Sequence, residues 1–283
     1  MDHYYDSVAE NDFVRVRLRS TLSSMLAFAK RTPDQLISLD EAREILKPTG
    51  ESFQGTKTIE IAKIVGSEGR YSDFTRRFLP LRDSTAYRWK RVHVARQRDI
   101  SLPAIMVYEL GGYYFIRDGN HRVSVAVQAG VTFIDAQVTS LGTEVSLGEV
   151  NSVEDLKRAV LEYENSRFAE SIGQLERARD ITFSATGRFD DVLWHIACHR
   201  IAVKKASGEL LDHTAATQSW YRTVYLPITQ FIRDSRVLDS VPGRTEADLY
   251  VWLVRHWDEI IQPVGEVHRT NRRLRRRFLS QVR

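Results

Sequence analysis

From Ser101 to Val138 the spacing of apolar positions changes twice. Ala104–Leu110 and Tyr113–Arg117 are β-rich runs on either side of Gly111-Gly112. That two-residue link predicts a hairpin with positive φ at its turn. The second strand runs directly into Asp118-Gly119-Asn120-His121-Arg122. Val123 to Ala129 then reads as a helix stopped by Gly130 at the C′ position, and Thr132–Val138 as another strand.

Upstream, Asp12–Lys30 carries Phe13, Val14, Leu18, Leu22, Met25, Leu26 and Phe28 at roughly helical spacing, ended by Pro33, although Val14–Leu18 also alternates as a short strand would. Ser38–Leu46 predicts a short helix capped by Ser38 or Asp40, followed by a polar linker to Gly55. Thr58–Ile64 reads as a strand leading into the loop Gly66-Ser67-Glu68-Gly69-Arg70. Phe74–Leu79 predicts a helical turn ended by Pro80, and Ser84–Arg98 a basic helix with Arg88, Lys90, Arg91, Arg96 and Arg98. The basic helix is either a solvated face or a phosphate contact.

After Leu141 the β signals fade. Ser152–Tyr163, Ser166–Arg179, Phe189–Lys205 and His213–Ile232 all have helical periodicity, with Pro227 set to kink the last. Asn151-Ser152-x-x-Asp155 resembles a capping box, and Thr245 with Asp248 starts an aromatic helix. The polar segment between Leu141 and Asn151 reads as a linker between two domains. Trp220, Trp252 and Trp257 recur at helical spacing and read as core.

Composition adds one asymmetry. The formal net charge is +4, yet residues 268–283 hold seven arginines and no acid, so the rest of the chain carries −3. Arg272, Arg273, Arg275, Arg276 and Arg277 are the candidates for contact with DNA or an acidic partner. One cysteine, Cys198, excludes an intrachain disulfide. No apolar run approaches the ~18 residues of a membrane span, and the acidic start is unlike a signal peptide. The expected location is cytoplasmic, with no membrane partner.

The Asp118–Arg122 turn is the candidate site. Gly119 permits close backbone approach, and amides at a helix start can cradle a phosphate. Arg122 offers a bidentate fork and His121 a second donor, while Asp118 beside an anion implies an intervening Mg²⁺. The competing reading is a helix capped by Asp118 with Arg122 paired to an acid. His195, Cys198 and His199 share a helix face, with His213 nearby, but lack a second spaced ligand pair and read as packing.

The strand–glycine turn–strand–D-G-N-H-R–helix–Gly–strand pattern resembles the ParB/sulfiredoxin superfamily, with Lys57–Gly66 matching its opening strand and turn. The resemblance covers roughly residues 56–140. It implies that the loop after the first strand and the basic helix pack around the motif and complete a ligand pocket. It also implies a nucleotide, tri- or diphosphate with Mg²⁺, held by Gly119, Asn120, His121, Arg122 and Arg70. Asp118 would then be the metal ligand, and hydrolysis or phosphoryl transfer would involve Asp118, His121 and Glu68. Glu68 and Glu60 are the only acids near the matching loop. Sulfiredoxins carry a cysteine where this chain has Asn120, so their thiol chemistry is excluded. ParB proteins have a more arginine-rich motif followed by a helix-turn-helix, which is not evident here. A ParB-like, partition-related DNA-binding regulator is therefore the alternative function, and a binding module without chemistry is a third. Trp220–Pro227 and Pro242–Tyr250 resemble a helical bacterial domain of unknown function. The expected fold class is α+β. It comprises an N-terminal helical arm (1–54), a ParB/sulfiredoxin-like mixed α/β domain (55–145), and an all-helical domain with a basic tail (151–283).

Overall fold

The computed structural model describes residues 2–172 and 181–260. The fold is α+β and divides into two compact units, Met1–Ala159 and Val160–Arg283. The first contains α1 (Asp2–Lys30), β1 (Ile37–Ser38), α2 (Leu39–Leu46), β2 (Glu51–Glu60), β3 (Ile64–Ser67) and α3 (Ala86–Gln97). These are followed by β4 (Ile105–Leu110), β5 (Tyr113–Asp118), α4 (Asn120–Gln128) and β6 (Phe133–Leu141). The helix α5 (Val153–Ser171) carries the division between the units.

The six strands form one mixed sheet in the order β1-β3-β5-β4-β6-β2. Its centre is the β4–β5 hairpin, in which Leu110 pairs with Tyr113 across Gly111 and Gly112, at φ 61° and 87°. Positive φ at both central residues matches the twist of the flanking strands. α4 covers the sheet with Val123 and Ala126, which join Ile105, Val107, Ile116, Ala136 and Val138 in one buried cluster. Its Val125 turns instead to Phe13 and Val16 of α1 and to Trp89 of α3. A helix packed on two sides has no polar stripe to spare, so Val123–Ala126 are all buried. Ser124 is tolerated there because its hydroxyl accepts from Trp89 Nε1 (3.0 Å) and donates to Phe78 O (2.6 Å).

Several expectations need correction. The run read as a single opening strand is two. β2 starts in the segment expected to be a linker and pairs with β6 at one edge. A 3₁₀ turn, Ile61–Lys63, then redirects the chain so that β3 lies beside β5. Phe74–Leu79 is not helical: Phe74 bridges Pro80, and Thr75 N donates to Leu79 O. α1 begins ten residues earlier than expected, and its apolar spacing misleads, since Leu18, Leu22, Met25 and Phe28 are exposed. The supposed linker after Leu141 packs on the first unit. Tyr113 Oη donates to Gly148 O (2.7 Å), Arg76 Nη2 donates to Val150 O (2.7 Å), and Val150 is buried. The helical arm and the α/β region thus belong to one unit, which extends to Ala159.

The second unit contains α6 (Phe189–Ser207), α7 (His213–Trp220), α8 (Leu226–Asp234) and α9 (Glu246–Ile260). α7 and α8 are joined by a π-helical turn, Tyr221–Tyr225, which ends two residues before Pro227. Proline lacks an N–H and crowds the carbonyl four residues back, and the wider turn absorbs that mismatch. Both expected capping boxes are present: Asp155 N donates to Ser152 Oγ, and Asp248 N to Thr245 Oγ. α5 is one helix through Tyr163 and Ser166 rather than two; Arg179 lies outside the described residues. Trp220 is fully buried and donates to Tyr250 Oη (3.0 Å), whereas Trp252 is half-exposed and stacks on His256, contrary to the core reading. The side chain of Trp257 lies outside the described residues. No helix among the described residues is long and apolar enough to cross a membrane.

Candidate anion-binding site

β5 delivers the D-G-N-H-R turn from the middle of the sheet. Gly119, at φ 117° and ψ 15°, is the N-cap of α4, and its side-chain-free backbone sits against Ile105. Helical bonding starts with Val123 N donating to Gly119 O (3.0 Å). The amides of Asn120, His121 and Arg122 therefore precede the first helical bond, at the positive end of the α4 dipole.

The turn forms one wall of a cavity of about 600 Å³. Gly69 and Arg70, from the loop after β3, form a second wall, and α3 forms a third with Arg88, Arg91, Val92 and Ala95. Those four positions lie on one helix face, which is set by Trp89 because its fully buried ring turns Arg88 and Arg91 away from the core. Arg117 on β5 completes the basic lining: five arginines, counting Arg122, against the single carboxylate of Asp118.

These cations are not equivalent. Arg122 is mostly buried, and its guanidinium donates to Pro103 O, Ala104 O (2.9 Å) and Asp118 Oδ2. These bonds staple the approach to β4 to the end of β5 and leave the Nε–H and one Nη2–H of the guanidinium for the phosphate contact expected of Arg122. Arg70 bonds Asp73 (3.2 Å). Arg88, Arg91 and Arg117 are exposed and have no carboxylate partner among the described residues; Arg91 and Arg117 lie over the rings of Tyr87 and Tyr108.

His121 packs edge-on against Phe74 (5.3 Å). Burial first, then the nearby Arg70 and Arg88 charges, push its imidazole down to about 4, so it is neutral at neutral pH. Neither ring nitrogen has a partner. Asn120 is buried, and its Nδ2 donates to Ser67 Oγ (3.1 Å) on β3.

Compared with known proteins, the chain matches no family model and no curated sequence at a significant level.

Of the expected site residues, Asp118, Gly119, Asn120, His121, Arg122 and Arg70 all line the same cavity. Asp118 is not the helix cap; Gly119 is. Asp118 is the single carboxylate on the wall and is paired with Arg122, so a Mg²⁺ held there would take its remaining ligands from the phosphates and water. Glu68 follows β3 with its amide on Ile116 O, and the cavity wall passes through Gly69 and Arg70 instead. Glu60 ends β2, at the far edge of the sheet. The basic helix contributes two of its five cations, since Lys90 pairs with Glu10 and Arg98 lies over Tyr5. Arg117 was missed, although its place directly before the motif was a usable signal. Arg272, Arg273, Arg275, Arg276 and Arg277 lie outside the described residues.

In the second unit, His195 packs against Tyr250, and His199 Nε2 lies 2.9 Å from Ser219 Oγ. Burial pushes the Cys198 thiol up to about 11. No His, Cys, Asp and Glu cluster among the described residues could hold a metal ion.

Proposed function

We propose that this chain binds the phosphates of a nucleotide at the start of α4, with a first unit of the ParB/sulfiredoxin kind. The observation that carries this reading is the convergence on one cavity of unpaired helix-start amides and three arginines, Arg88, Arg91 and Arg117, without carboxylate partners among the described residues. Clustered guanidinium groups repel one another, and a phosphate group relieves that repulsion while taking charge-assisted bonds. The volume suits a mononucleotide, and Val92, Ala95 and Leu102 give the wall an apolar portion for a base. The function is binding in the first instance. Asp118 is engaged, Glu68 stands off the wall, and both ring nitrogens of neutral His121 are buried.

A thermal-shift series on the full chain tests this with ATP, ADP, CTP and GTP, each against its nucleoside. Ligand at a hundred times Kd stabilises by about 2.7 kcal/mol, which for a unit of this size raises Tm by roughly 5–10 °C. At least one nucleotide is expected to give that rise and its nucleoside none. No rise with any nucleotide, or an equal rise with the nucleoside, overturns the reading.

A further inference from the structure

α1 has two apolar sides. Ala9, Phe13 and Val16 recur at three- and four-residue intervals and are buried, the last two in a cluster with Trp89 and Val125. Val14, Leu18, Leu22 and Met25 recur at the same intervals on the opposite side, with Leu26 and Phe28 beside them. All six are 50–89% exposed. Single exposed apolar side chains are ordinary, but six on one side of one helix form a patch of the kind that marks an interaction surface.

The charges around the patch say what fits it. From Phe13 to Pro33 the chain carries Arg15, Arg17, Arg19, Lys30 and Arg31 and no acid. Arg17 turns to Asp83 (2.9 Å), and Arg15 lies 3.7 Å from Asp12. Arg19, Lys30 and Arg31 are exposed and have no carboxylate partner among the described residues. A second copy of residues 13–33 laid along the patch would bring only cations together, whichever way it ran. Residues 268–283, with seven arginines and no acid, carry the same sign. The occupant must therefore combine apolar surface with negative charge. Phe28, 89% exposed, and the three leucines stand clear of the body, which suits a soft surface that closes around a convex stripe. An apolar stripe edged by Lys and Arg is the pattern of a helix lying in a lipid interface.

We propose that the outward side of α1 lies on an anionic lipid surface. Its six apolar side chains enter the boundary between headgroups and acyl chains, and Arg15, Arg19, Lys30 and Arg31 contact the lipid phosphates. The proposal departs from the expectation of no membrane partner, which rests on spanning and secretory segments alone; adsorption requires neither. It is independent of the phosphate site at α4.

The test is co-sedimentation of the full chain with vesicles of phosphatidylcholine and phosphatidylglycerol in equal parts, against vesicles of phosphatidylcholine alone. Binding is expected to the mixed vesicles only. The triple variant Leu18→Gln, Leu22→Gln, Phe28→Gln keeps every charge, including residues 268–283, so adhesion by charge alone would not feel it. With three apolar side chains removed from the interface, it is expected to bind at least about tenfold more weakly. Arg15→Ala with Arg19→Ala is expected to weaken binding roughly 30-fold. No binding to the mixed vesicles overturns the proposal, and so does a triple variant that binds them as the native chain does. A lipid-free dimer that the triple variant dissolves also overturns it, by giving the patch to a second copy. Should the triple variant fail to fold, Phe28→Gln alone, near the end of the helix, decides by the same comparison.

Discussion

Gly119→Ala is expected to destabilise the first unit by several kcal/mol and to abolish ligand binding. At φ 117° an alanine is strained, at a cost of roughly 1–3 kcal/mol. The new methyl would also stand 2.5 Å from Ile105 Cγ2, in a side chain with no exposure and nowhere to move. Overpacking a closed core adds about 1–3 kcal/mol more. The combined effect rivals the whole stability of a marginal domain. Denaturant unfolding followed through Trp89 and the other tryptophans measures it, and a midpoint within error of the native chain contradicts this account of the turn.

The second large effect concerns the free cations. Arg88→Ala combined with Arg91→Ala is expected to weaken nucleotide binding roughly 10²- to 10⁴-fold, since each charge-assisted bond is worth about 1.5–3 kcal/mol. The fold should survive, because both side chains are exposed and Trp89 between them keeps its burial. Calorimetric titration beside a Tm measurement reads both quantities, and an unchanged Kd contradicts the assignment of these two arginines. Arg122→Ala is the less informative variant. It breaks bonds to Pro103, Ala104 and Asp118, so lost binding there would report a disturbed turn as readily as a lost contact.

The hairpin, the motif turn and α4 were legible in the sequence because their signals are local. Gly111-Gly112, Gly119 and Gly130 mark positions where the backbone must take positive φ, and the structure has positive φ at all four. What escaped depends on distant partners. Ile59, Ile61 and Ile64 read as one strand, since nothing between them resembles a turn residue, yet Ile59 pairs with β6 and Ile64 with β5. The first half of β2 is polar and exposed, held by its ladder with β6 rather than by burial. At the site, residue types showed which groups would gather around the turn. They left open whether Arg122 pairs with an acid, and did not show that Asp118 and the carbonyls before β4 together engage it while Arg88, Arg91 and Arg117 stay free of carboxylates among the described residues. That competition is settled by geometry between segments, which spacing along the chain does not record.

The central claim, a phosphate seated on the first turn of α4, is most directly tested by amide chemical-shift mapping of the full chain during titration with ATP, CTP, GTP and UTP. The account predicts saturable shifts at the backbone amides of Asn120, His121 and Arg122 and at the side-chain Nε–H groups of Arg88 and Arg91, all following one binding curve. Shifts confined to other residues, or none at these amides with any of the four, would contradict it.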